Sequence, residues 1–226
     1  MGERCDDLSH AFDGEFMDWD CVLGSGFERA PKDWVSVFRE CSIEELVRIA
    51  RDGLVVPAPE LRPAEIRQEM EILDRYRPAH LARQGVSRLR ATYAVPAADD
   101  APRLPFRQER IILEMKVDPA ESYVGDMDFI TCLIPFIGVH RYGLDRFQGA
   151  FRKYWDSVMP LSHFLHRYVR LEAGPVCQWV PKGRVTGRMP RNFFSPEIMV
   201  MTPVIGQRHI RIVRREPAEE DDAIME

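Results

Sequence analysis

His163-x-x-His166 is the closely spaced histidine pair of the chain. Three positions apart on a helix, two imidazoles share a face and can hold one metal ion. The sequence places no third ligand beside them, so no metal site is expected there. Asp126-Met127-Asp128 gathers two carboxylates, the hard donors a divalent cation prefers, but two alone do not make a cage. Gly24-Ser25-Gly26 lacks the Lys-Ser/Thr of a phosphate-cradling loop and the third glycine of a dinucleotide fingerprint. The chain contains no G-x-S-x-G nucleophile elbow. Cys5, Cys21, Cys41, Cys132 and Cys177 form no C-x-x-C pair. Their odd number and scatter argue against a disulfide framework and for reduced thiols in a cytoplasm.

What could position a site is clearer. Trp34 to Arg39 reads as a short strand. Ser42 with Glu45 three residues on reads as a capping box, and Ile43, Leu46, Val47, Ala50 and Leu54 then recur at helical spacing until Gly53. Pro63 opens a second helix with Ile66, Met70 and Leu73 on one face, closed before Pro78. Leu89–Val95 reads as a strand, Ala97–Pro105 as a loop, and the alternation Ile111, Leu113, Met115, Val117 as a strand turned by Asp118-Pro119. Leu144, Phe147, Phe151, Tyr154, Trp155 and Val158 make a helical stripe ended by Pro160. A further helix runs through Phe164, Leu165, Tyr168 and Val169. Residues 174–195 read as a long loop with a strand at Cys177–Val180, and Glu197–Met201 and Ile210–Val213 as the last strands. Helices are gathered early and in the middle, and the strands lack βαβ spacing. The fold class is α+β.

The 226 residues are 45% hydrophobic and 30% charged, which suits one folded domain. No apolar run is long enough for a membrane span, and no basic stretch followed by an apolar one opens the chain, so a cytoplasmic protein without a membrane partner is expected. The net charge of −5 is unevenly spread. Residues 1–33 carry −6 and read as a loosely ordered acidic segment. Residues 34–215 carry +7 and read as the domain. Residues 216–226 carry −6 and read as an acidic tail. Residues 141–215 alone carry +10, which suggests a polyanionic partner such as a nucleotide, a nucleic acid or a phosphorylated protein. Solvated surface charge is the plainer account.

Three pieces in order carry a resemblance. The first is Val37-Phe38-Arg39-Glu40-Cys41-Ser42 leading into Leu46-Val47-Arg48-Ile49-Ala50-Arg51-Asp52-Gly53-Leu54. The second is the strand pair Leu89–Pro96 and Ile112–Pro119. The third is Ser195-Pro196-Glu197-Ile198-Met199-Val200. In this order they resemble the ADP-ribosyltransferase-like superfamily, and within it the DNA-modifying toxins of DarT type. Those open with a strand ending in a basic residue and a helix of the form L-x-x-I-x-x-x-G-L, and close on a glutamate that begins a strand. The resemblance spans about residues 34–213 and is specific at its two ends.

The resemblance implies a split, strongly bent antiparallel sheet with flanking helices. NAD, as co-substrate, would lie in the cleft between the sheet halves. It implies an enzyme that transfers ADP-ribose to a macromolecular acceptor, nucleic acid modestly favoured over protein, in a class that often works as a toxin or defence effector. Glu197 would be the catalytic carboxylate, stabilising the oxocarbenium character that develops as the nicotinamide–ribose bond breaks. Arg39 would hold the NAD phosphate or ribose, Tyr93 would stack on nicotinamide, and Thr92 would offer a hydroxyl beside it. Each has a plainer alternative: an exposed strand-start glutamate, a surface ion pair, core packing. Phe193 and Phe194 sit where the family has its target-reading loop. Beside Arg188 and Arg191 they would stack on a base and grip a phosphate, or else anchor the loop.

The chain departs from the family pattern at two places. Ala91-Thr92-Tyr93-Ala94 stands where many members have Ser-Thr-Ser, and Ser195 stands two before Glu197, where arginine-modifying members have glutamate. The latter argues against arginine as acceptor. The rival reading is a catalytically silent module of the same fold that binds nucleic acid or a phosphorylated partner. An NAD-consuming RNA 2′-phosphotransferase would need an Arg-His-His-Arg set, and His80, His140 and His209 do not fall on suitable strands.

Overall fold

The computed structural model describes residues 23–101, 110–131, 147–173, 176–183 and 194–216. Its strands are β1 Val35–Cys41, β2 Leu54–Val55, β3 Thr92–Ala94, β4 Arg110–Val117, β5 Ser122–Asp126, β6 Met159–Pro160, β7 Tyr168–Ala173, β8 Val176–Pro181, β9 Pro196–Val200, β10 Val204–Ile205 and β11 Ile210–Glu216. Its α-helices are α1 Ile43–Asp52, α2 Ala64–Asp74, α3 Ala79–Arg83, α4 Gln148–Ser157 and α5 Leu161–Arg167. The protein is α+β, with every strand pair among the described residues antiparallel.

Two sheets dominate. One has the order β1-β4-β11, the other β3-β9-β5-β6. They meet at one isolated bridge, where Phe38 and Val95 exchange backbone hydrogen bonds of 2.8 and 2.7 Å. Beyond it the end of β1 and the start of β3 no longer pair, and a gap opens between the halves. The four-stranded sheet is buried on both faces. Ala94, Val124, Ile198 and Val200 face a core shared with Val37, Leu113 and Met115 of the other sheet and Leu46 and Ile49 of α1. The alternate residues Tyr93, Tyr123 and Met199 face a second core made with Leu73 of α2, Leu81 of α3 and Phe151, Tyr154 and Trp155 of α4. Period-two alternation therefore serves two cores rather than a core and a solvent face.

Local chemistry explains where elements start and stop. Ser42 caps α1, its hydroxyl accepting the Glu45 N–H at 3.2 Å. The second arm of the expected capping box is absent, because the Glu45 carboxylate reaches back to Arg39 at 2.7 Å. Gly53 stops the helix at φ 76°. The strand expected from Leu89 is only three residues long. Before it, the Asp74 carboxylate accepts the Ser87 hydroxyl at 2.5 Å and the Arg88 N–H at 3.1 Å, curling residues 88–90 into a 3-10 turn. The helix expected through Tyr168 and Val169 ends at Arg167, since those two residues begin β7 and pair with Pro181 and Val180. Leu23 and Phe27 of the acidic N-terminal segment are buried, with the Phe27 ring under the Arg211 guanidinium at 4.2 Å.

Gly53 has two reasons to be glycine. Its φ lies in the left-handed region, and a Cβ there would sit 2.7 Å from the Ile205 carbonyl oxygen. Gly53→Ala is expected to destabilise the fold by about 1–3 kcal/mol in urea unfolding, as such strain typically does. An unchanged midpoint would show that the β2–β10 corner yields freely.

Candidate functional site

The gap between the sheet halves holds a cavity of about 510 Å³. Arg39 enters it from the end of β1, Thr92 and Tyr93 from the start of β3, Arg48 and Ile49 from α1, and Leu61 and Arg62 from the connection to α2. Of the eight residues that the resemblance placed at the site, Arg39, Thr92 and Tyr93 thus line one cavity. Arg39 is paired with Glu45, and Arg62 donates to the carbonyls of Leu89 and Ala91. Arg48 is exposed and makes no ion pair among the described residues.

Glu197 does not line that cavity. It has the parity of Met199 on β9, so it projects toward α4, whereas Arg39 has the parity of Val37 and Cys41 and projects toward the first core. There the Glu197 carboxylate is clamped by Arg88. Oε2 accepts from Nη1, and Oε1 accepts from Nη2 at 3.2 Å. Tyr154 donates its hydroxyl to Oε2 at 3.1 Å. The Arg88 side chain is 4% exposed and that of Glu197 15%. The guanidinium lies between two rings, 4.9 Å from the centre of Tyr93 and 5.0 Å from that of Tyr154. Its Nε has no hydrogen-bond partner among the described residues.

Tyr93 joins the two places. Tyr93 borders the cavity, its ring lies 4.9 Å from the Arg88 guanidinium, and its hydroxyl donates to the Arg88 carbonyl at 2.5 Å. Burial opposes the charge on Arg88, but Glu197 and the two tyrosines more than offset it and hold its pKa well above the ordinary value. Burial pushes both tyrosine hydroxyls up, against the pull of Arg88, so each stays protonated and able to donate. Glu69, on α2, is half-buried. Burial raises its pKa, Arg88 opposes the rise and the Glu197 charge adds to it.

The start of β9 is fixed by Asp126, whose Oδ1 accepts the N–H groups of Ser195 at 3.0 Å and Asp128 at 3.2 Å. Asp126-Met127-Asp128, read as a possible cation pair, thus serves as a cap and a latch. Burial raises the Asp126 carboxyl's pKa despite those two donors. His163 and His166 are both exposed on α5, and no group of three or more metal-ligating side chains stands together among the described residues. Phe194 is buried, bridged to Trp179, with its ring against Phe164 and Tyr168. It is therefore an anchor of its loop and has no open face for a base. Arg188, Arg191 and Phe193 lie outside the described residues. Part of the basic charge after residue 140 is consumed internally, with Arg170 on Asp100, Arg214 on Asp99 and Arg211 on Glu114.

Sequence reasoning missed Arg88, Tyr154 and Glu69. Tyr154 reads as one more aromatic of a helical stripe, and Arg88 as one of many arginines, because nothing local marks which guanidinium will be buried. No family model, curated protein or solved structure matches the chain.

Removing one partner of a buried pair leaves an uncompensated charge, at a cost of about 3–5 kcal/mol. Arg88→Ala is expected to lose about that much in chemical denaturation, and the apolar double substitution Arg88→Met with Glu197→Leu to recover most of it. A small loss in Arg88→Ala would mean that solvent reaches Glu197. A second prediction concerns pH. Folding raises the Glu69 pKa, so the stability this carboxyl contributes is complete below its unfolded pKa and is lost as pH rises through the folded one. Glu69→Gln should therefore be more stable than the wild type at pH 7, with the gain vanishing in acid. Equal unfolding midpoints at pH 7 would contradict it.

Proposed function

We propose that the protein is an NAD-dependent ADP-ribosyltransferase of the ADP-ribosyltransferase-like fold, acting on a macromolecular acceptor, with nucleic acid modestly favoured over protein. The observation that carries this reading is the split at Phe38–Val95, with Arg39, Thr92 and Tyr93 lining the cavity it opens. A volume of about 510 Å³ lies within the range of about 300–1,000 Å³ usual for small-molecule sites. The lining fits NAD chemically. The guanidiniums of Arg39, Arg48 and Arg62 suit a diphosphate, and the Tyr93 ring offers a stacking face for a flat base. Glu197 is paired with the Arg88 guanidinium that lies against that ring.

In this reading Arg39 exchanges Glu45 for a phosphate oxygen. The nicotinamide–ribose bond breaks with its electron pair leaving on nicotinamide, and Glu197 stabilises the positive ribose. The acceptor atom then bonds to the anomeric carbon and releases a proton. Reaching that ribose requires the Tyr93–Arg88 layer to part, which makes substrate binding and exposure of Glu197 one event. The toxin or defence role that the resemblance implies rests on the identity of the acceptor.

One observation favours the rival, a silent binding module. Glu197 is absent from the cavity wall, and both of its oxygens are engaged. Nicotinamide release separates the two readings. A transferase should release nicotinamide from NAD, slowly with water as acceptor. Glu197→Gln should lower turnover by about 10²–10³-fold while leaving NAD affinity nearly intact. Arg39→Ala should chiefly weaken NAD binding. A folded wild type that binds nucleic acid in a salt-sensitive way but releases no nicotinamide would establish the module instead.

A further inference from the structure

Glu197 faces Gly125 across the β9–β5 ladder, and the absence of a side chain at Gly125 has a consequence. A Cβ built there would lie 2.8 Å from Cε2 of Tyr154, 2.9 Å from Cζ and 3.0 Å from the hydroxyl oxygen. The bare backbone admits the phenol end of Tyr154 against β5, with its hydroxyl 3.1 Å from Oε2 of Glu197. The ring is fully buried on α4, packed edge-on against Trp155, and the Trp155 indole N–H is fixed on the Leu73 carbonyl at 2.7 Å. Tyr154 has no room to swing.

The hydrogen bonds around Glu197 can be counted. A carboxylate offers about four lone-pair positions, two on each oxygen. Arg88 occupies one on each. Tyr154 occupies the second on Oε2, and its own oxygen accepts from Arg88 Nη1 at 2.5 Å, which orients the hydroxyl proton toward the carboxylate. Among the described residues Oε2 is then saturated, and one position on Oε1 stays open.

The geometry points to Tyr154 as a positioning residue that selects Oε1 of Glu197 as the oxygen that meets the substrate, with Gly125 as the space that makes this possible. The inference rests on the transferase reading and adds to it. When the Arg88 layer parts, Tyr154 continues to hold Oε2, so the carboxylate keeps one orientation toward the ribose instead of rotating about its terminal torsion. Orientation held before the reaction is worth rate rather than ground-state affinity.

The test is nicotinamide release from NAD by the full-length protein, with kcat and KM measured separately. Tyr154→Phe keeps the ring and removes two hydrogen bonds to charged groups, the one donated to Glu197 and the one accepted from Arg88. Its kcat is expected to fall by about tenfold to a hundredfold, with KM near the wild-type value, in a protein whose melting temperature is lowered but whose thermal unfolding stays cooperative. Placed on Glu197→Gln, the same substitution should cost nothing further, since the group it positions is gone. Gly125→Ala, which displaces the ring without removing the hydroxyl, should reproduce the kcat loss and decides the matter if Tyr154→Phe fails to fold. Wild-type kcat in Tyr154→Phe or in folded Gly125→Ala overturns the inference, as does an equal loss in the Glu197→Gln background. A folded wild type that releases no nicotinamide overturns the transferase reading itself, and this inference falls with it.

Discussion

A guanidinium 4% exposed between two tyrosine rings is stable only with a carboxylate on it, and the fold is arranged around meeting that demand. Arg88 reaches its place because Asp74 on α2 takes its backbone N–H and the hydroxyl of Ser87, tightening the chain into a 3-10 turn. Glu197 reaches the same place from β9, whose start is latched by Asp126. Gly125 clears the space in which Tyr154 completes the set. Four elements far apart in the chain converge on one charge pair. Loss of either partner would strand the other in a medium that solvates it poorly.

The pair also stands apart from the cavity. On one side of the Tyr93 ring lies the cavity with its arginines, and on the other lies the carboxylate. Tyr93 is common to both, lining the cavity and lying against Arg88. The core on the first face is continuous across both sheets.

Elements with strong local signals were legible before any coordinates. Ser42, Glu45 and Gly53 delimit α1 by capping and by left-handed backbone, and both are short-range effects. The alternation Ile111 to Val117 marks β4 for the same reason. Where tertiary contacts compete, local reading fails. Glu45 was legible as a cap partner, yet its carboxylate is closer to Arg39 and takes the stronger, charge-assisted bond. Tyr168 and Val169 continue a helical pattern, yet pairing with β8 draws them into a strand. Phe194 was legible either as a reader of bases or as an anchor, and a pocket between Phe164, Tyr168 and Trp179 made it an anchor.

By itself the sequence determined the α+β class and the capped helix that follows the first strand, and these rest on periodicity and capping, which are properties of neighbours in the chain. The short list Arg39, Thr92, Tyr93 and Glu197 came from the resemblance. Tertiary structure alone decided that the first three share a cavity and that Glu197 stands behind it. It also decided that Arg88 is the arginine that is buried and Tyr154 the tyrosine that holds a carboxylate. Residues 88, 125, 154 and 197 are brought together by sheet register and helix packing. A side chain's burial and partner depend on what other elements lay over it, and no local spacing encodes that.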